Sequence, residues 1–317
     1  MASMNVYIGT AFLVQIITGS LGNLFILNQN LFHYFRGYRP QTTDLILGHM
    51  TVANFLVILP RGIPETMAAF GLEDFLSDLE CKSIFYMHRV GRGVSMGSTC
   101  LLSVFQVITV SPRSYKWAQF NLKAKEYMIT SVVLCWLLHM LLNIIFPVQV
   151  TAKWKNKNIT NKIDFTYCSG QGYEKILYYI TATLFSICDA ICICLMLCAS
   201  CSMLFMLCKH KKQVQHIYGI NVGSRSSPVT RAINSVLALT CTYVHFYTIS
   251  CIIQMCLTVS YHPSTILLTN AALINSCFAT LCPFVLMSCE HDLSKIWCLH
   301  CRSKKSSKLI RIKGQIV

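Results

Sequence analysis

A few groups of residues have the types and spacing to do chemistry. Gly93-Val94-Ser95-Met96-Gly97 matches the G-x-S-x-G pattern of a serine nucleophile, which needs a strand, a strained turn and a helix around it. No strand pattern flanks it here. The same two glycines read as G-x-x-x-G, the spacing at which helices approach closely. Cys298-Leu299-His300-Cys301 gathers two thiols and an imidazole, half of a tetrahedral zinc site without its other half. No H-E-x-x-H, P-loop or dinucleotide fingerprint occurs, so an enzyme, a metal site or a bound cofactor is not expected. His88, Arg92, Ser95 and Thr99 recur at 4-3-4 spacing, one face of a helix. Such polar groups inside an apolar run are costly and face a cavity or another helix. Two readings stand side by side for Arg89 and Arg92: they snorkel or pair with outer acids, or they belong to a polar patch lining a ligand cavity. Asp189 also lies in an apolar run, where pairing with a cation and a protonated carboxyl are both compatible with the sequence.

The elements that must position these residues follow from composition. The chain has 317 residues, 54% hydrophobic and only 12% charged, against roughly 25% charged in soluble domains. So few charges cannot cover a water-facing surface, which excludes a disordered chain, a coiled coil and an ordinary cytosolic enzyme. A membrane-spanning helix takes about 20 mostly apolar residues, and seven stretches qualify: Val6 to Asn28, Thr42 to Leu59, Cys81 to Val110, Tyr127 to Phe146 ended by Pro147, Ile176 to Cys208, Ala232 to Val259 and Thr265 to Met287. The last two are separated at Tyr261-His262-Pro263-Ser264, because proline and the residue before it disfavour helix continuation. The expected architecture is an all-α membrane protein, a seven-transmembrane helix bundle over residues 1–287, followed by a basic cytoplasmic tail at 288–317. The first stretch lacks the basic start of a cleaved signal and is read as retained.

Charge sets the direction of insertion. Lys plus Arg is 27 and Asp plus Glu is 12, for a formal charge of +15. Eighteen of the cations fall in the first, third and fifth loops and the tail, and seven on the opposite side. The richer side is expected to be cytoplasmic, with the amino terminus outside and the carboxyl terminus inside a plasma membrane. Juxtamembrane cations attract anionic inner-leaflet lipid at roughly 1 kcal/mol each, which accounts for the basic balance without nucleic acid. The sequon Asn158-Ile159-Thr160 falls in the long loop expected outside and is a glycosylation candidate. Cys81 and Cys168 are the only cysteines at expected extracellular positions among 18. On the oxidising side a disulfide between them is chemically allowed.

Gly22-Asn23, Cys81, Trp136 and Pro283 resemble landmarks of rhodopsin-like G-protein-coupled receptors. Asn54 stands where that class usually has Asp, Asp-Arg-Tyr is absent after the third span, and Cys282-Pro283-Phe284-Val285-Leu286 replaces Asn-Pro-x-x-Tyr. These departures resemble a narrower family. Arg39-Pro40 through Thr43-Asp44-Leu45-Ile46-Leu47, His88-Arg89-Val90-Gly91-Arg92-Gly93, Cys100-Leu101-Leu102-Ser103-Val104-Phe105-Gln106, Lys157-Asn158-Ile159-Thr160, Tyr167-Cys168-Ser169 and Pro283-Phe284-Val285-Leu286-Met287 are similar, in order along most of the chain, to the vomeronasal type-1 receptors. Cys188 before Asp189 departs from the proline expected there.

The resemblance implies a chemosensory receptor for pheromones or other small semiochemicals that activates an inhibitory-type heterotrimeric G protein. Ligand contacts are expected at His88, Arg92, Ser95, Asp189 and Tyr247, and G-protein contacts at Gln106, Arg113, Lys211, Lys212 and Gln215. A bitter-taste-type receptor has the same architecture, but the inner-loop motifs argue against it. A transporter or channel would show related halves, and no internal repeat is present.

Overall fold

Among the described residues large apolar side chains face outward as well as inward, and a set of polar ones is buried with the apolar core. The computed structural model describes residues 2–35, 42–72, 75–110, 115–148, 150–152, 162–164, 167–171, 175–218, 228–259 and 267–288. Among them run seven helices: α1 (Ala2–Phe35), α2 (Thr42–Ala69), α3 (Asp78–Val110), α4 (Tyr115–Leu142), α5 (Lys175–Tyr218), α6 (Pro228–Val259) and α7 (Leu267–Ser288). On α4, Leu134, Leu137, Leu138 and Leu141 are about half exposed or more, whereas His139 and Asn143 just beyond the helix are buried. Asn23, Asn54, Ser95, Thr99 and Ser103 are buried too. An apolar exterior is suited to lipid. Among the described residues four helices carry stretches long and apolar enough to cross a bilayer: Val6–Phe32, Thr42–Ala69, Thr183–Met206 and Leu267–Ser288.

Helix α3 is the hub and packs against α2, α4, α5 and α6. Glycines set its approach on two sides. A Cβ on Gly91 would lie 2.8 Å from the Ala53 carbonyl oxygen and 2.7 Å from Leu56 Cβ, so only glycine lets α3 touch the α2 backbone there. Gly93 and Gly97 face His139 and Cys135 of α4, where added side chains would collide.

Several helices run past the expected stretches, α1 to Phe35 and α5 to Tyr218 among them, and two further ends bear on the packing. Helix α2 does not stop at Leu59 but continues through Pro60 and Pro64 to Ala69. Proline is tolerated in membrane helices where neighbours support the freed backbone, and Gly62 within this stretch lies against Ile16 of α1. Helix α4 ends at Leu142, short of Phe146. There Asn143 turns its amide back onto the His139 carbonyl at 2.7 Å, and turns lead into a 3-10 segment at Phe146–Val148.

The chain is mostly rather than wholly helical. Between α4 and α5 the described residues form three short strands, β1 (Val150–Ala152), β2 (Lys162–Asp164) and β3 (Cys168–Gln171), in the order β1-β3-β2 and antiparallel throughout. Cys168, opposite Ala152, is joined to Cys81 at the start of α3 with Cα atoms 6.0 Å apart. Tyr167 is buried beside the bond, with its ring 6.1 Å from Phe85. The sheet is thereby fixed over one end of α3. Ser77 and Glu80 begin that helix with a reciprocal cap: the Ser77 N–H donates to Glu80 Oε2 at 2.7 Å and the Glu80 N–H to Ser77 Oγ at 3.4 Å.

Candidate ligand cavity

The 4-3-4 stripe of α3 divides in the folded chain. His88 Nδ1 donates to the Val57 carbonyl of α2 at 3.0 Å. Ser95 donates to Asn54 Oδ1 at 2.7 Å, and the Thr99 hydroxyl lies 3.6 Å from Met50 Sδ. These three face α2. Arg92 turns instead towards α6, with its guanidinium 5.9 Å from the centre of the Tyr247 ring. Arg89 takes a third direction: its Nε donates to Asn143 Oδ1 at 3.2 Å and the guanidinium lies 4.9 Å from the Phe185 ring centre.

Where Arg92 turns, a cavity of about 30 Å³ opens between α2, α3, α6 and α7. Val57, Arg92 and Ser95 line it from α2 and α3, Tyr243, Phe246, Tyr247 and Ser250 from α6, and Ile274, Asn275, Phe278 and Ala279 from α7. The α6 residues follow i, i+3, i+4, i+7, one helix face. That stripe is legible in the sequence, yet only Tyr247 of it is among the expected ligand contacts, and Asn275 is not among them. The Ser250 hydroxyl donates to Asn275 Oδ1 across the α6–α7 contact. Tyr243 packs its ring edge-on against Phe278, with centroids 4.6 Å apart.

Of the five residues expected at a ligand site, Arg92, Ser95 and Tyr247 meet in this lining. Asp189 stands just behind it, accepting from the Tyr247 hydroxyl at 3.1 Å. His88 is buried in the α2–α3 contact and is not in the lining. Beneath the cavity Ser95 begins a polar chain. Asn54 donates to Asn23 Oδ1 at 3.0 Å, and Asn23 donates to the Gly19 and Ala279 carbonyls at 2.8 and 3.0 Å. A further turn down α3, Ser103 lies 3.4 Å from the Thr240 hydroxyl of α6.

The expected G-protein contacts are more dispersed. Gln106 is partly buried near the other end of α3, its Oε1 without a hydrogen-bond partner. Lys212 is exposed on α5, and Lys211 and Gln215 occupy the same helix. Arg113 and Asn158 lie outside the described residues. Among the described residues no group of three or more His, Cys, Asp or Glu side chains is placed to hold a metal ion.

Residues 6–299 match the vomeronasal organ pheromone receptor family. The chain is similar to human vomeronasal type-1 receptor 4, 50% identical over 290 residues that cover 92% of this chain and 96% of the relative. It is similar to human vomeronasal type-1 receptor 2, at 49% identity over 92% of this chain and 74% of that protein. Human vomeronasal type-1 receptor 3 is 46% identical over 98% of this chain and 100% of its own length. With apolar helices suited to a bilayer and a match along nearly its whole length, the chain belongs to the vomeronasal organ pheromone receptor family, a family of chemosensory membrane receptors.

Proposed function

We propose that the chain is a seven-helix receptor whose cavity between α3, α6 and α7 binds a small pheromone-type molecule and whose opposite end activates an inhibitory-type heterotrimeric G protein. The observation that carries this reading is the link from Arg92 through Tyr247 to Asp189, which joins α3, α6 and α5 beside the cavity. A ligand can favour the active arrangement only by binding it more tightly than the resting one. Contact with Arg92 or Tyr247 alters how these three helices are held together, and their far ends carry Gln106, Lys211, Lys212 and Gln215. In this reading the amino terminus and the disulfide-tied sheet face outward, where Asn158 is glycosylated. The basic loops and tail then lie against anionic lipid inside.

Chimeras that carry residues 111–125 and 209–231 in a receptor of known ligand test the coupling. Nucleotide exchange is measured on purified inhibitory-type and stimulatory-type G proteins. A shift towards the inhibitory type supports the assignment, and an unchanged preference removes it.

A further inference from the structure

We infer that the cavity selects ligands by an acceptor oxygen, a carbonyl or carboxylate oxygen, held by the Arg92 guanidinium and the Asn275 amide. This deepens the receptor reading and rests on it. The inference follows from where the hydrogens around the cavity point. The Ser95 hydroxyl gives its hydrogen to Asn54, the Ser250 hydroxyl to Asn275 Oδ1 and the Tyr247 hydroxyl to Asp189. Because Asn275 Oδ1 is the acceptor for Ser250, its Nδ2 carries the two remaining amide N–H groups, and no described residue accepts from them. Arg92 is half-buried with one face against Tyr247. No carboxylate lies within ion-pair distance of it among the described residues, and a guanidinium offers five N–H donors and no acceptor.

The three hydroxyls have given up their hydrogens and keep only lone pairs, so the N–H donors left in the lining belong to Arg92, which is charged, and Asn275. A buried donor left unmatched is costly, and an unpaired cation within the bilayer more so. An oxygen that only accepts satisfies both. An ammonium head would meet the Arg92 charge with no carboxylate in the lining. About 30 Å³ admits a head group rather than a whole ligand, and Phe246, Phe278 and Ile274 supply apolar surface for what is attached to it.

The full-length receptor in lipid nanodiscs is melted with three probes of equal chain length: 2-hexanone, hexanoate and hexylammonium. The expected result is a midpoint raised by about 2–4 °C by saturating 2-hexanone or hexanoate, with no rise for hexylammonium. A larger effect of hexanoate assigns a charged head, and of 2-hexanone a neutral one. Asn275→Asp keeps the acceptor for Ser250 while removing the N–H donors, and Arg92→Gln removes the charge. Loss of the acceptor-probe shift in either variant supports the inference, and Asn275→Asp alone decides it if Arg92→Gln does not fold. The inference is overturned by no rise with either acceptor probe, by an equal rise with hexylammonium, or by shifts that persist in every variant that folds. The chimera experiment judges the receptor reading separately: acceptor-selective binding beside an unchanged G-protein preference would remove the coupling and keep the selectivity.

Discussion

The Tyr247 hydroxyl donates to Asp189 Oδ2 at 3.1 Å while the ring of the same tyrosine lies 5.9 Å from the Arg92 guanidinium. One side chain of α6 thus holds a carboxylate of α5 with its tip and meets a cation of α3 with its face. The ring is electron-rich on its face, which suits the cation.

Tyr247→Phe keeps the ring and removes the bond to Asp189. Interhelical hydrogen bonds in membranes average about 0.6 kcal/mol, so ligand-independent nucleotide exchange is expected to rise roughly threefold if the bond holds the resting arrangement. Unchanged exchange in the variant would show that the α5–α6 bond does not bias the resting state.

Cys81→Ser is expected to lower stability by about 2–4 kcal/mol, the usual worth of a disulfide, since the bond closes a separation of 87 residues. The check is a thermal melt of the full chain alongside peptide mapping under non-reducing conditions. Cys168→Ser and the double variant should match it, because each removes the same bond. A further loss in the double variant would mean the two cysteines contribute separately.

Gly93→Leu and Gly97→Leu place side chains against His139 and Cys135 and are expected to cost about 1–3 kcal/mol each through overpacking. Gly48, also helical, has nothing within 4 Å of where a Cβ would sit. Gly48→Ala should instead be neutral or stabilising by up to about 1 kcal/mol. Similar melting of all three variants would show that α3 and α4 do not meet at the glycines.

The cap at the start of α3 depends on pH. The Ser77 backbone N–H and then its hydroxyl hold the Glu80 carboxyl below its ordinary value. Because the folded value is the lower one, the contribution is present above the ordinary carboxyl range and is lost as pH falls through the folded value. Protection of the first-turn amides of α3, taken relative to their intrinsic exchange rate at each pH, should fall as pH drops below the ordinary carboxyl range, and Glu80→Gln should remove that pH dependence.

Asn54 carries no charge where related receptors of the rhodopsin type have Asp, and its amide is committed to Ser95 and Asn23. Replacing sodium with a bulky organic cation should leave ligand affinity unchanged. Asn54→Asp is expected to introduce sodium dependence, read as a difference in affinity between the two salts.

The apolar stretches could be read from the sequence because lipid imposes a length of about 20 residues on anything that crosses it. Local rules were misleading at Pro60 and Pro64, which resemble a helix stop. The neighbour that packs on the continued stretch lies on another element, Ile16 of α1 against Gly62. Strands of three or four residues alternate too briefly to register, so the sheet between α4 and α5 did not stand out. The polar stripe on α3 was visible, but its division was not. His88, Ser95 and Thr99 meet α2, and Arg92 meets a tyrosine of α6 that is distant in sequence. Spacing identifies which residues share a face, whereas the partner of each depends on how the helices are arranged in space.

The polar chain that starts at Ser95 has a direction. Every proton in it is handed the same way, from Ser95 to Asn54, from Asn54 to Asn23, and from Asn23 to the α7 backbone at Ala279. Asn23 cannot turn its amide over alone without setting nitrogen against the Asn54 nitrogen and oxygen against the two carbonyls, and turning Asn54 alone sets its oxygen against Asn23 Oδ1. The row is therefore cooperative, and a molecule that draws the Ser95 proton to itself deprives Asn54 of its donor and is felt three links away, on α7.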